Sequence, residues 1–154
     1  MGSSWLIPDG SRVLLDSMTL IYFFERHASY GALAREILER IAAGRLSAVL
    51  TTLALTEVLV TEYRRSSADA QGLRRAITSL PNLQLVPVTA PLADTAARLR
   101  AAHSLATPDA IHVATALAEG ATWIVSNDRR LRRVEAEPVR LWLFDEQLGS
   151  IPPR

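Results

Sequence analysis

At 154 residues, the chain has the length of one domain that can bury a hydrophobic core without disulfides or structural metals. Its 49% hydrophobic and 21% charged residues exclude a disordered chain, and the absence of cysteine excludes disulfides and thiolate chemistry. The 17 basic side chains are all arginines, so the lysine that a P-loop or a Schiff-base enzyme needs is missing.

Neither a membrane span nor a signal peptide is expected from the sequence. No apolar run approaches the roughly 20 residues of a membrane span, and MGSSWLIPDG lacks the basic region and long apolar stretch of a signal peptide. We therefore expect a cytoplasmic protein without membrane contact. Residues 1–11 are interpreted as an N-terminal extension whose MGSS start resembles a cloning remnant, residues 12–145 as one domain, and residues 146–154 as a tail.

Apolar runs and amphipathic patterns alternate along the chain. Apolar runs predict strands, and periodic apolar residues between glycine, proline or asparagine breaks predict helices. Strands are predicted at residues 12–16, 46–51, 83–88, 123–126 and 139–144. Helices are predicted at residues 18–25, 32–43, 53–65 and 69–80, around residues 92–99, and from an N-cap at Thr107 to a stop at Gly120.

Strands that are apolar throughout and separated by helices predict an α/β fold. The expected architecture is a parallel sheet of about five strands, covered by helices on both faces. Ligands of such sheets bind beyond the carboxyl ends of the strands. Polar residues at those ends, or on the helices that follow, are therefore the candidates for a functional site.

Four acidic residues occupy such positions. Asp16 ends the first strand, Asp128 follows the fourth, Glu57 lies in the helix after the second, and Asp109 lies in the first turn of the helix before the fourth. Each has an ordinary explanation as a turn residue, a helix-dipole acid or part of an exposed stripe. Their joint placement at one end of the sheet favours a shared site instead.

Converging carboxylates suggest a metal and a phosphodiester substrate. Like charges repel, and Mg²⁺ or Mn²⁺ would relieve the repulsion, activate water and accept phosphate oxygens. We accordingly expect Asp16→Asn and Asp128→Asn to stabilise the metal-free fold. Outside the four candidates, 12 acids face 17 arginines, a formal charge of +5 that suits an anionic polymer; the arginine pairs also fit ordinary solvated helix ends.

Four features recur in one order along the chain: Asp16-Ser17 after a strand, Glu57 within a helix, TPDAIHVATAL at residues 107–117 and SNDRRL at residues 126–131. Together, over about residues 13–144, they resemble the PIN-domain ribonucleases, above all the VapC toxins of bacterial toxin–antitoxin pairs. The resemblance maps the family's catalytic and metal-binding acids onto Asp16, Glu57, Asp109 and Asp128. The family's Ser/Thr beside the last acid maps onto Ser126, with Asn127 adjacent.

The resemblance implies a three-layer PIN sandwich, a Mg²⁺ or Mn²⁺ site and a homodimer. It further implies hydrolysis of structured RNA such as tRNA or rRNA by metal-activated water, and inhibition by a VapB-type antitoxin. Ser126 and Asn127 would support the site or contact phosphate, and Arg129 and Arg130 are candidate RNA contacts. Met18 departs from the family, which often has a small polar residue two positions after the first Asp.

Two alternatives are weighed against the ribonuclease. A haloacid-dehalogenase-like phosphatase also begins with an acid after its first strand, but it needs a second Asp where Met18 stands and a lysine. A non-catalytic RNA- or protein-binding module could use the same fold. His112, three residues after Asp109, is interpreted as a helix-face residue that hydrogen-bonds a neighbour, and the LIYFFE segment at residues 20–25 as partly core and partly contact surface.

Overall fold

The computed structural model describes residues 7–134 and 137–149. Its single sheet contains β1 (Arg12–Leu15), β2 (Ser47–Thr51), β3 (Leu83–Val86), β4 (Trp123–Ser126) and β5 (Arg140–Leu143). Its α-helices are α1 (Ser17–Phe24), α2 (Gly31–Ala42), α3 (Thr52–Arg65), α4 (Ser67–Thr78), α5 (Ala90–His103) and α6 (Thr107–Ala118). Short 3₁₀-helices follow β4 and β5 at Arg129–Val134 and Phe144–Gln147.

The sheet is parallel throughout, with the strand order β3-β2-β1-β4-β5. β1 lies in the centre, where Leu15 pairs with Leu50 of β2 and with Val125 of β4. The carboxyl ends of these three strands therefore lie at the same edge. The backbone N–H of Asp16 continues the pairing beyond β1 by donating to the Val125 carbonyl at 3.2 Å.

The sheet is the middle layer of three. Because successive strand side chains point to opposite faces, Val13 and Leu15 pack into one core cluster while Leu14 packs into the other. The first cluster is covered by residues of α1 to α4 and the second by residues of α5 and α6. The predicted α/β sandwich with a five-stranded parallel sheet is thus confirmed.

Several element boundaries differ from the sequence prediction by one or more residues, and three of these differences have a clear local reason. β3 ends at Val86, two residues early, because Pro87 cannot donate to the ladder. α4 begins at Ser67, since the Ser66 side chain accepts from the Asp69 N–H at 3.0 Å and caps the helix. Thr107 is not the N-cap of α6: it is the first helical residue, and Ala106 precedes it without a side-chain cap.

The LIYFFE segment is divided between core and surface. Leu20 and Tyr22 are buried in the first core cluster, whereas Phe24 at the end of α1 is 38% exposed. Ile7, in the N-terminal extension, is buried in the same cluster, while residues 1–6 and the tail beyond residue 149 lie outside the described residues. None of the helices within residues 7–134 and 137–149 is long and apolar enough to cross a membrane.

Candidate functional site

Asp16 joins the end of β1 to the start of α1. Its side chain caps α1, with Oδ1 accepting from the Met18 N–H at 3.0 Å, and Oδ2 accepts from the Ser126 hydroxyl. The residue is only 8% exposed. Burial raises the pKa of Asp16 to about 7, and the negative charge of Glu57 adds a smaller contribution, although both hydrogen bonds oppose the shift.

Ser126 connects two of the predicted site residues. Its fully buried hydroxyl donates to Asp16 and accepts from the Asp128 backbone N–H at 3.1 Å. The hydroxyl therefore ties the end of β1 to the turn that follows β4. This contact supports the position of both acids without requiring a direct contact between them.

Glu57 reaches the same edge from α3. The helix begins directly after β2, where the Thr51 side chain accepts from the Ala54 N–H at 2.9 Å. From the second turn, Glu57 Oε2 accepts from the Ser17 hydroxyl at 2.6 Å. The carboxylate is thereby held beside the first turn of α1, next to Asp16.

Asp109 completes the group of acids from the first turn of α6. Burial raises its pKa most, the charges of Asp128 and Glu57 raise it further, and the Arg130 charge opposes them. The charge of Glu57 also raises the pKa of Asp16, so the same carboxylate influences two of the other predicted acids. Asp109 is half-buried, so one side of this group remains open to solvent.

Asp128 differs from the other acids because it is paired with Arg130. Arg130 Nε lies 3.0 Å from both carboxylate oxygens, its Nη2 lies 2.6 Å from Oδ2, and its backbone N–H donates to Oδ1 at 2.9 Å. These hydrogen bonds lower the pKa of Asp128. The structure therefore predicts that Asp128→Asn removes a favourable ion pair, contrary to the expectation of relieved repulsion, whereas burial disfavours the charged forms of Asp16 and Asp109.

The donor set fits a hard divalent cation in its chemistry. All four candidates offer carboxylate oxygens, and burial, with a smaller contribution from neighbouring carboxylates, raises the pKa values of Asp16 and Asp109; a bound cation would favour their charged forms. Within the described ranges, however, no three acidic or histidine side chains converge closely enough to form a metal-binding group. The side chains of Asp16, Glu57 and Asp128 bond instead to protein donors.

Asn127 is held by the fold through both ends of its amide. Its Oδ1 accepts from the Asp145 N–H at 2.9 Å, and its Nδ2 donates to the Tyr22 hydroxyl at 3.2 Å. The Tyr30 hydroxyl in turn donates to the Asp145 side chain. Of the two expected roles, support and phosphate contact, this geometry favours support. No sequence pattern identifies Tyr22, Tyr30 or Asp145 as partners of the site.

Ser17 is the other partner that the sequence reasoning left without a role. Ser17 belongs to the Asp16-Ser17 motif, and the motif could have marked it as a candidate. Its contact with Glu57, however, spans 40 positions and could not be inferred from sequence spacing.

The remaining candidates, Arg129 and His112, lie beside the acids. Arg129 has a 69% exposed side chain, and its Nη2 is 3.6 Å from Asp145 Oδ2. His112 is buried, burial lowers its pKa, and the Glu57 charge partly opposes this shift. The expected hydrogen bond from His112 to a neighbour is not formed by Nδ1, which is buried without a partner in the part of the chain that the structure describes.

Solved structures with a similar fold include a toxin–antitoxin complex and VapBC proteins. One is a toxin–antitoxin complex from Klebsiella pneumoniae, with a TM-score of 0.65 and 21% identity over 83% of this chain and 94% of that chain. For VapBC2 from Rickettsia felis, bound to a DNA fragment from its promoter, the TM-score is 0.66 and the identity 17%, with 84% of this chain and 96% of that chain covered. For VapC20 from Mycobacterium tuberculosis, a sarcin–ricin loop cleaving toxin, the TM-score is 0.63 and the identity 17%, with 83% of this chain and 98% of that chain covered.

The identity of the family comes from the sequence comparison. No curated protein matches the chain. The family model of the PIN domain matches residues 13–137, which include all four acids and the strands that position them. The resemblance noted in the sequence is therefore confirmed, and the chain belongs to the PIN-domain family.

Proposed function

We propose that the chain is a divalent-metal-dependent endoribonuclease and the toxin of a VapBC-type pair. The observation that carries the proposal is the placement of the acids at the carboxyl edge of a PIN-domain sheet. The Ser126 hydroxyl bonds both the Asp16 side chain and the Asp128 backbone, a hydrogen bond from α1 holds Glu57 beside Asp16, and the charges of Asp128 and Glu57 raise the pKa of Asp109. Acids on four different elements would not share one edge by local structural demands alone.

In this proposal, Asp16, Glu57, Asp109 and Asp128 hold Mg²⁺ or Mn²⁺. The cation would supply Lewis-acid chemistry, activating water and balancing charge on the phosphate. The chain's own contribution is positioning. Ser17 orients Glu57, and Ser126 holds Asp16 and the Asp128 turn together.

The substrate and partners follow from the surface and from the fold neighbours. The exposed side chains of Arg129 and Arg130 flank the acids and are suited to phosphate contact. We propose structured RNA, such as tRNA or rRNA, as the substrate, a homodimer as the working form and a VapB-type antitoxin as the inhibitor. The VapBC complexes among the fold neighbours support the last of these.

The decisive experiment compares wild type with Asp109→Asn on total RNA, in Mg²⁺ or Mn²⁺ and in EDTA. We expect cleavage only by wild type with metal, and products with 5′-phosphate and 3′-hydroxyl ends, because water rather than the ribose 2′-hydroxyl attacks. Equal cleavage by both proteins, or 2′,3′-cyclic phosphate ends, would reject the mechanism. RNA binding without cleavage would instead support a non-catalytic PIN-fold module.

The toxin assignment is tested separately in cells. Induction of the chain alone should stop growth, and co-expression with a small DNA-binding protein encoded directly upstream should restore it. Induction of Asp109→Asn serves as the control and should leave growth normal. Normal growth on induction of a soluble, RNA-cleaving wild type would reject the toxin role while leaving the nuclease in place.

A further inference from the structure

The pair formed by Arg130 and Asp128 places a fixed positive charge on a proposed metal-binding carboxylate. The guanidinium contacts both oxygens of Asp128 through Nε at 3.0 Å, and through Nη2 at 2.6 Å to Oδ2. The two residues are separated by one position at the start of the Arg129–Val134 3₁₀-helix. The charge is therefore supplied by the chain itself at short range, and no distant element has to move to deliver it.

The influence of Arg130 extends beyond Asp128. Its positive charge also favours the charged form of Asp109, on α6, so Arg130 influences two of the four acids. The Arg130 side chain is nevertheless 67% exposed. Exposed ion pairs contribute little free energy, so the guanidinium can exchange one anionic partner for another at small cost.

We propose that Arg130 is a built-in counter-ion of the acidic edge, which is exchanged when a divalent cation takes Asp128 and an RNA phosphate takes the guanidinium. This inference rests on the proposed nuclease function, because it assumes that Asp128 is a cation ligand and RNA the substrate.

The exchange follows from the chemistry of the two partners. A divalent cation at Asp128 would be repelled by a guanidinium that donates to the same two oxygens. A phosphate offers that guanidinium the same bidentate geometry as a carboxylate. A cation bound to Asp128 releases the guanidinium for phosphate, and a phosphate bound to the guanidinium releases Asp128 for the cation. Cation binding and RNA binding are therefore expected to favour each other.

The first measurement is the affinity for Mn²⁺ in the absence of RNA, determined from the EPR signal of free Mn²⁺. In Arg130→Gln, the competing charge is removed, while the backbone N–H of residue 130 still orients Asp128. We expect about tenfold tighter Mn²⁺ binding than in wild type. Arg129→Gln is the matched control, because it removes the same charge one residue earlier, from a side chain with similar exposure, 69%, that pairs with Asp145 instead.

The second measurement is RNA affinity in EDTA, by fluorescence anisotropy of a labelled RNA hairpin. We expect Arg130→Gln to bind the hairpin several-fold more weakly, since the phosphate partner is lost. Tighter metal binding together with weaker RNA binding is the signature of an exchanged counter-ion. A purely structural role of Arg130 would weaken both ligands or leave both unchanged.

Two results with the arginine variants would overturn the inference. Equal tightening of Mn²⁺ in Arg129→Gln and Arg130→Gln would mean that only net charge matters. Unchanged Mn²⁺ affinity in Arg130→Gln would reject the competition between Arg130 and the cation. The nuclease proposal would survive that result if Asp128→Asn weakens Mn²⁺ binding and wild type cleaves RNA. Failure of wild type both to bind Mn²⁺ and to cleave RNA would reject the two proposals together.

Discussion

The hydroxyl of Ser17 donates a 2.6 Å hydrogen bond to Oε2 of Glu57, across 40 positions of sequence. Ser17 is the first residue of α1 and Glu57 lies in α3, so the bond connects two helices that begin beside neighbouring strands. Ser17 is buried at 4% exposure and Glu57 is half-buried, so the bond lies at the border between the core and solvent. It determines which way the Glu57 carboxylate points.

We expect Ser17→Ala to lower RNA cleavage by about tenfold, because a carboxylate freed from its donor is positioned less well. The loss of stability should be about 1 kcal/mol, the usual net contribution of one hydrogen bond. Cleavage rate and urea unfolding together check both values. Ser67→Ala is the control, since Ser67 also begins a helix but is exposed; equal loss of activity in the control would remove Glu57 positioning as the explanation.

Asp16→Asn should stabilise the metal-free protein, and more so at high pH. The pKa of Asp16 is raised by burial to about 7, so folding favours the protonated form. The charged Asp16 carboxylate lowers the free energy of unfolding. This contribution is absent at low pH and develops as the pH rises from the pKa of Asp16 in the unfolded chain through its pKa of about 7 in the folded protein. The gain from Asp16→Asn should therefore be larger at pH 8 than at pH 5 by about 2 to 3 kcal/mol.

Urea unfolding in EDTA at the two pH values measures this difference. A gain that does not depend on pH would show that Asp16 is already ionised, or already neutral, across the whole range. Mn²⁺ should reverse the ranking, because wild type gains stability from a bound cation that the Asn variant holds less well.

Asp128→Asn should act in the opposite direction. Hydrogen bonds from Arg130 lower the pKa of Asp128, so folding favours its charged form, and this contribution is present at neutral pH and lost as the pH falls through the lowered pKa. Because the Arg130 partner is largely exposed, the expected loss is at most about 1 kcal/mol. Thermal unfolding in EDTA at pH 7 tests the sign. Stabilisation of the variant would mean that repulsion among the acids outweighs the Arg130 pair.

Asn127→Ala should show whether Asn127 supports the turn before Asp128 or contacts the substrate. The variant loses the bonds to the Asp145 N–H and the Tyr22 hydroxyl, which hold the turn before Asp128. We expect a stability loss of about 1 to 2 kcal/mol and slower cleavage, with unchanged affinity for labelled RNA in EDTA. Tyr30→Phe, which removes only the hydroxyl bonded to Asp145, should give a weaker version of the same effect. A clear loss of RNA affinity in Asn127→Ala alone would indicate a phosphate contact.

The α/β sandwich and the sheet edge at which the candidate acids lie could be predicted from the residue order. The apolar run at 123–126 predicts β4 with its observed bounds, and the acids after β1 and β4 lie at the expected edge because parallel strands end on the same side. These features depend on periodicity and on strand direction, which neighbouring residues in the chain determine.

The partners of the site side chains were decided only in three dimensions. Repulsion was expected at Asp128, yet Arg130 neutralises it; Ser17 had no assigned role, yet it orients Glu57. Thr107 has the residue type of an N-cap but lies inside α6. Hydrogen bonds and charge pairs depend on atoms that approach within a few ångströms after folding, and residue order alone does not specify those distances.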